Sequence, residues 1–98
     1  MGQPAARVTD MTSHGTPLGP GPGCPTVLIG GLAAWRCEAD VHACPLVTVL
    51  VPHVGGVVAV GSLTVMIGGL PAARMGDLVV EVGPPNAIVL GEATVLIG

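Results

Sequence analysis

Thr64-Val65-Met66-Ile67-Gly68-Gly69-Leu70-Pro71-Ala72-Ala73-Arg74-Met75-Gly76-Asp77 runs from a β-branched stretch through a glycine pair to an arginine, with an aspartate three residues on. The same order occurs earlier in the chain. Thr26-Val27-Leu28-Ile29-Gly30-Gly31 leads into Ala33-Ala34-Trp35-Arg36, with Asp40 four residues on. Two half copies remain. Pro4-Ala5-Ala6-Arg7 with Asp10 has no strand before it, and Thr94-Val95-Leu96-Ile97-Gly98 has nothing after it. The missing halves match, so the sequence predicts that Gly98 lies beside Met1 and that a third unit closes across the two ends. Internal self-similarity of this kind marks a body built from repeated supersecondary units. Closing them into a ring removes exposed strand edges.

Every arginine and every aspartate belongs to this motif, and there is no lysine. A guanidinium bridges a carboxylate and backbone carbonyls with a planar fork. One arginine per unit is therefore read as pinning a unit's turn to its neighbour, a structural role rather than a catalytic one.

The composition fits one 98-residue domain with short strands. Sixteen glycines and ten prolines exclude long helices. The β-branched runs Thr26–Ile29, Val57–Val60, Thr64–Ile67, Leu78–Val82, Ala87–Leu90 and Thr94–Ile97 read as strands. Pro20–Gly23, the two glycine pairs and Gly83–Asn86 read as turns. The second interval between arginines is longer than the first, and Pro45–Pro52 within it reads as a loop. The expected class is all-β.

Half the residues are hydrophobic, yet Trp35 is the single aromatic. Where the other copies have alanine, Trp35 is expected to cover apolar surface at one face. A core of Val, Leu, Ile and Ala is thin for a chain this short, so a metal or a partner is expected to support it. Only 9% of the residues are charged and the net charge is −3, so part of the apolar surface is expected to be covered by another protein. Three dispersed arginines make no stripe for nucleic acid. No apolar run reaches the ~20 residues of a membrane-spanning helix. The N-terminus carries no basic stretch followed by an apolar one, so no signal peptide is expected. Residence is expected to be cytoplasmic until a dedicated machine exports the protein.

His14, His42 and His53 all precede position 54, and Cys44 sits two residues after His42. Alternate residues of an extended segment share a side, so His42 and Cys44 can reach one ion. His14 follows Asp10 by four residues and His42 follows Asp40 by two, so equivalent loops on a three-fold body bring them together. Three imidazoles and a thiolate suit a tetrahedral zinc ion. The alternative is that these are loop histidines and a small core cysteine. Three cysteines argue against a disulfide framework. Cys24 and Cys37 read as packing residues. Glu81 reads as a strand residue facing solvent or a partner. No nucleophile elbow, phosphate loop or HExxH helix is present.

These residues closely resemble the PAAR-repeat family. The resemblance covers nearly the whole chain and rests on Pro4–Asp10, His14–Leu18, Thr26–Gly31, His42–Leu46, Pro52–Gly56, Pro71–Asp77 and Gly83–Asn86. It implies a short, pointed, pseudo-three-fold β-rich cone seated on the trimeric valine-glycine repeat (VgrG) spike of a type VI secretion system. It implies zinc at the point, held by His14, His42, Cys44 and His53. Two departures are Ala-Ala-Trp-Arg in the middle motif and Gly91-Glu92-Ala93 where many relatives carry Gly-Cys-Pro. Neither touches a ligand position. Residues 1–98 are read as a bare tip without a fused toxin. The expected function is structural: one chain caps each spike trimer and meets the target membrane only during penetration. An adaptor for effector cargo is the alternative, and a small zinc hydrolase a less favoured one.

Overall fold

The computed structural model describes residues 2–48, 51–81 and 85–98, with side chains outside 45–54. Eleven strands appear among them and no helix. They are β1 (Gln3–Ala5), β2 (Pro20–Gly21), β3 (Cys24–Ile29), β4 (Leu32–Ala34), β5 (Val41–Thr48), β6 (Val51–Val58), β7 (Met66–Ile67), β8 (Leu70–Pro71), β9 (Leu78–Val80), β10 (Asn86–Ala87) and β11 (Glu92–Ile97). The body is elongated, 38 × 25 × 21 Å.

Three antiparallel hairpins repeat one design: β3–β4, β7–β8 and the pair made by the chain ends, β11–β1. Their registers correspond. Ile29 faces Leu32, Ile67 faces Leu70 and Ile97 faces Gln3. The expected closure across the ends is therefore present. The turns in the two continuous hairpins are glycine pairs with positive φ at both residues, 58° and 84° for Gly30-Gly31, 58° and 81° for Gly68-Gly69. That is the conformation whose twist suits a two-residue β-hairpin, and glycine adopts it without a Cβ clash.

Side chains alternate across each hairpin. Ile29, Ile67 and Ile97 point inward and are at most 8% exposed, joined by Ala5, Ala34 and Ala72 in one apolar cluster. Leu28, Met66 and Leu96, one residue earlier, are 63%, 58% and 60% exposed.

Past the hairpins the three strands meet in a ring of backbone hydrogen bonds. Trp35 N–H donates to Ala6 O (2.9 Å), Ala73 N–H to Trp35 O (3.0 Å) and Ala6 N–H to Ala73 O (3.1 Å). A second ring follows two residues on: Val8 to Ala33 (2.9 Å), Cys37 to Pro71 (2.9 Å) and Met75 to Pro4 (2.8 Å). In the first ring each unit donates to the one before it and in the second to the one after it, so backbone groups at the centre are satisfied inside a cyclic arrangement. This is a pseudo-three-fold, all-β fold.

Trp35 fills the centre rather than one face, and is fully buried. It packs with Ala6, Ala73, Leu18, Val58 and Ile88 in a second apolar cluster. Room for the indole comes from glycine: a Cβ on Gly21 would lie 3.1 Å from its Cζ3. The expectation of a surface-covering Trp35 is corrected accordingly.

Each arginine staples its own turn. Arg7, Arg36 and Arg74 each place Nε 3.1 Å from one carboxylate oxygen of Asp10, Asp40 and Asp77 respectively. Their Nη2 atoms sit 2.9, 3.0 and 2.9 Å from the other oxygen. Each aspartate also accepts its arginine's backbone N–H. The guanidinium edge then reaches a neighbouring turn. Built Cβ atoms on Gly30 and Gly68 would fall 2.8 and 3.2 Å from Arg7 and Arg36 Nη1, and Arg74 Nη1 donates to Gly98 O at 3.2 Å. Both the local staple and the expected contact with a neighbouring unit are thus present. Hydrogen bonds to the aspartates hold all three guanidinium pKa values above their ordinary value.

The rest of the chain forms three excursions, one after each aspartate, joined by a five-stranded antiparallel sheet ordered β10-β9-β6-β5-β2. Two turn expectations are corrected here. Pro20-Gly21 pairs with β5, opposite His42 and Val41. Most of Pro45–Pro52 lies in the β5–β6 hairpin, whose register shifts between Cys44 and Val47. Such an irregularity admits a proline, which cannot donate to a regular ladder. Four predicted strands are also shorter than expected, since β6 stops at Val58, β7 starts at Met66, β9 stops at Val80 and β10 stops at Ala87. Val82, and Gly83 and Pro84 of the expected Gly83–Asn86 turn, lie outside the described residues, while Asn86 of that turn stands in β10.

Candidate metal centre

The three excursions deliver side chains at matching offsets. Two residues past the aspartates stand Thr12, His42 and Val79, all buried to within 1%. Four residues past them stand His14, Cys44 and Glu81. One ligand atom from each of these three lies within 4.8 Å of the others. His14 Nδ1 is 2.8 Å from Glu81 Oε1 and 3.8 Å from Cys44 Sγ. Cys44 is 3% exposed, the His14 side chain 11%, and the Glu81 carboxylate is wholly enclosed although its backbone is partly open.

A buried polar layer supports the cluster. His14 Nε2 lies 3.0 Å from the Pro85 carbonyl. Asn86 Oδ1 accepts the His14 backbone N–H at 3.0 Å and the Ser13 hydroxyl at 3.3 Å. Asn86 Nδ2 lies 3.4 Å from His42 Nε2, which Thr16 Oγ1 also approaches to 3.0 Å. Thr16 Oγ1 is in turn 3.0 Å from Thr12 Oγ1. Burial pushes the His42 imidazole below its ordinary pKa, against the pull of nearby Glu81.

His14 and Cys44 are thus brought together. His42 shares the buried side of β5 with Cys44 but sits in the polar layer, outside the group of three. The His53 side chain lies outside the described residues. Glu81 joins the cluster although the sequence placed it in a strand facing solvent or a partner; it follows the end of β9 with its carboxylate turned inward. The signal for it was available: it follows Asp77 by the same four residues that separate His14 from Asp10.

The donor set suits a borderline-soft divalent ion such as zinc, which takes imidazole, thiolate and carboxylate ligands. A tetrahedral zinc site separates neighbouring donors by about 3.3–3.6 Å, against 2.8 and 3.8 Å here. The imidazole also carries its expected outer support. With Nε2–H on the Pro85 carbonyl, the Nδ1 lone pair is aimed at the thiol and carboxylate, as in histidines that ligate metals. The residues present fit a metal ion.

Comparison with curated proteins found no match. A family model described as PAAR motif matches residues 48–98, just over half of the chain, including the Pro71–Asp77 repeat, β11 and Glu81. With the fold and the repeated staples it establishes that the chain belongs to the PAAR motif family, whose members are structural tips of the type VI secretion spike and not enzymes.

Proposed function

We propose that this protein caps the trimeric VgrG spike, one chain per trimer, and stiffens the point that is driven into a target envelope. The observation that carries the reading is the set of three outward side chains Leu28, Met66 and Leu96. Each is more than half exposed, and they occupy equivalent positions on three equivalent hairpins. A three-fold partner presents three equal surfaces, and an apolar triplet on a pseudo-three-fold body complements it. At roughly 25 cal/mol per Å² of apolar surface covered, three such side chains contribute several kcal/mol to docking. Neighbouring strand ends offer backbone pairing to the spike's β-structure.

At the other functional element, the metal is zinc, held by the cluster containing His14 and Cys44, the two residues shared by the resemblance and the geometry. The resemblance adds His42 and His53. Bound zinc would crosslink the excursions of a chain with a small core, which is folding free energy rather than catalysis. The protein resides in the cytoplasm before firing and is then carried out on the spike.

The test is co-purification with a candidate spike trimer, with mass by light scattering. One chain per three spike subunits is expected. Leu28→Glu with Leu96→Glu should abolish the complex while the free protein melts within a few degrees of wild type. Retained binding by that double variant would overturn the seating.

An effector adaptor is the second reading. It is favoured by an open apolar groove of about 770 Å³ lined by residues that include Val8, Pro17, Leu18, Pro20 and Ala43, on the flank of the body. Capture of effectors by the tip in cells lacking the spike protein separates it from capping alone.

A further inference from the structure

We propose that Glu92 is the positioning residue of the β11–β1 hairpin: its carboxylate, clamped on Arg7, does for this hairpin what a covalent turn does for the other two. The proposal does not depend on what the outward side chains dock against.

The first observation is that this hairpin needs a clamp. In β3–β4 and β7–β8 a glycine pair ties one strand to the other. β11 and β1 come from opposite ends of the sequence, and no turn joins them. Strands of this kind fray unless something ties them down. Burial ties β11 weakly. Ile97 is its single buried side chain, whereas β3 buries both Cys24 and Ile29.

The second is how the strand is held. At one end Gly98 O accepts Arg74 Nη1 at 3.2 Å and Ser62 Oγ at 2.6 Å, both from a neighbouring unit. At the other end Glu92 stands opposite Ala5. Gly91 lets the strands approach there, since a Cβ on it would lie 2.9 Å from both Ala5 O and Pro4 Cβ. Glu92 Oε2 then takes Arg7 Nη1 at 3.2 Å. Arg7 lies in the segment that continues β1, so this contact joins the two strands of the hairpin. Glu92 Oε1 accepts the Thr94 hydroxyl at 2.9 Å and the Thr94 N–H at 3.3 Å, which fixes the carboxylate on its own strand. A Cβ on Gly30 would collide with Glu92 Oε2, so the carboxylate also lies against the turn of β3–β4.

The third is a comparison inside the chain. Cys24, opposite Ala34, and Ser62, whose N–H donates to Ala72 O, are the equivalents of Glu92. Cys24 bonds Thr26 and Ser62 bonds Gly98. A carboxylate stands at this position only in the unit whose strands no turn joins. Because Leu96 belongs to β11, the clamp also sets the place of the third outward side chain.

Charge makes the clamp sensitive to acid. The Thr94 hydroxyl, the Thr94 N–H and then Arg7 hold the Glu92 pKa below its ordinary value of 4.5. The folded hairpin therefore keeps the carboxylate charged to lower pH than a released strand does. The clamp is complete above that ordinary value and is lost as pH falls below it. The charged groups facing Glu92 are Arg7 and, on the other edge of the same guanidinium, Asp10. β1, the rest of β11 and the Gly30-Gly31 turn carry none.

Amide hydrogen exchange on the full chain is the test. It is read as protection of β11 and β1 relative to β3–β4 and β7–β8 in the same molecule. Glu92→Gln keeps the size and an acceptor for Thr94 but loses the charge. It should lower protection in β11 and β1 about three- to tenfold, the range for a partly exposed ion pair with its hydrogen bonds, and leave the other two hairpins within about twofold. Wild type, which needs no variant, should show the same selective loss between about pH 6 and about pH 3. The aspartate forks recur in all three units, so the ratio between hairpins isolates Glu92. In Glu92→Gln that selective acid loss should be absent. A wild type without it overturns the proposal. So does a Glu92→Gln protein that loses protection evenly in all three hairpins, loses none, or still shows the selective acid loss.

Discussion

Arg36→Met removes one arm of the most enclosed staple and keeps much of the side chain's length and apolar stem. Arg36 makes three side-chain hydrogen bonds: Nε to Asp40 Oδ2 at 3.1 Å, Nη2 to Asp40 Oδ1 at 3.0 Å, and Nη2 to Gly23 O at 3.2 Å. Asp40 keeps two backbone donors, Arg36 N–H at 2.7 Å and Gly23 N–H at 3.0 Å. Its side chain is fully enclosed, whereas those of Asp10 and Asp77 are 5% and 8% exposed. Breaking a buried pair by deleting one partner costs about 3–5 kcal/mol, and the surviving backbone donors place Arg36→Met near the lower end. Arg7→Met and Arg74→Met leave carboxylates nearer water and should each cost about 2–3 kcal/mol. In a domain of this size 1 kcal/mol moves Tm by about 4–8 °C, so Arg36→Met should melt roughly 12–25 °C below wild type. The assay is thermal unfolding followed by Trp35 emission, which reports the ring centre because the chain has no other aromatic residue. Added salt should change the loss little, since the pair is enclosed. A cycle with Asp40→Asn should give a coupling above about 1.5 kcal/mol. An Arg36→Met protein that melts within about 2 °C of wild type, or a coupling near zero, refutes the staple as a source of stability.

Two further outcomes follow from the same repeats. Two residues after each arginine the backbone turns left-handed: Thr9 has φ 77°, Glu38 φ 68° and Gly76 φ 98°. Only the third copy has the residue suited to it, so Thr9→Gly should raise Tm by several degrees, a net gain of about 1 kcal/mol after the added chain entropy, and Gly76→Thr should lower it in the same melt. Burial, reinforced by Asp77 and Glu38, pushes the Cys37 thiol up to about 11 from an ordinary value of 9.0. The unfolded chain then loses this proton before the folded one does, so stability should fall as pH rises from about 9 and level off near 11. Chemical denaturation across that window should show the fall in wild type and a flatter profile in Cys37→Ala.

The repeated Thr-Val-Leu-Ile and Thr-Val-Met-Ile segments made the hairpins and the closure of the ends legible, because β-branched alternation and glycine pairs are local signals. The staples were legible for the same reason: an arginine and an aspartate three or four residues apart need no tertiary knowledge. Trp35 was misread because one large side chain among alanines looks like a surface patch, and only the position of Gly21 reveals a slot for it at the centre. The β5–β6 hairpin was hidden by Pro45 and Pro52, whose cost in a ladder disappears at an irregular register. Glu81 was missed because a single acidic residue in a Val-rich run reads as the solvent face of a strand. Its inward turn goes with the long-range pairing of β9 with β6 and β10, and the one sequence signal for it was the four-residue offset from Asp77 that matches His14 after Asp10.

Fusing three units into one chain has a chemical consequence that a true trimer cannot reproduce. Identical subunits would place identical side chains at each equivalent point: three carboxylates four residues past the aspartate, or three thiols, or three imidazoles. Three enclosed carboxylates would repel strongly at such distances. Here that position holds an imidazole, a thiol and a carboxylate. The same freedom operates at the centre, where Ala6, Trp35 and Ala73 meet in one hydrogen-bonded ring. Three indoles would not fit there and three alanines would leave a void. It operates again where the repeated segments begin: Cys24, Ser62 and Glu92 each stand two residues ahead of the repeated threonine and bond differently, Cys24 to Thr26, Ser62 to the Gly98 carbonyl, Glu92 to Thr94 and Arg7. The backbone keeps the three-fold symmetry, because backbone hydrogen bonds define the rings. The side chains abandon it where three different groups meet at one axis. Symmetry in this protein therefore belongs to the backbone rings and hairpins, and asymmetry to the interior side chains.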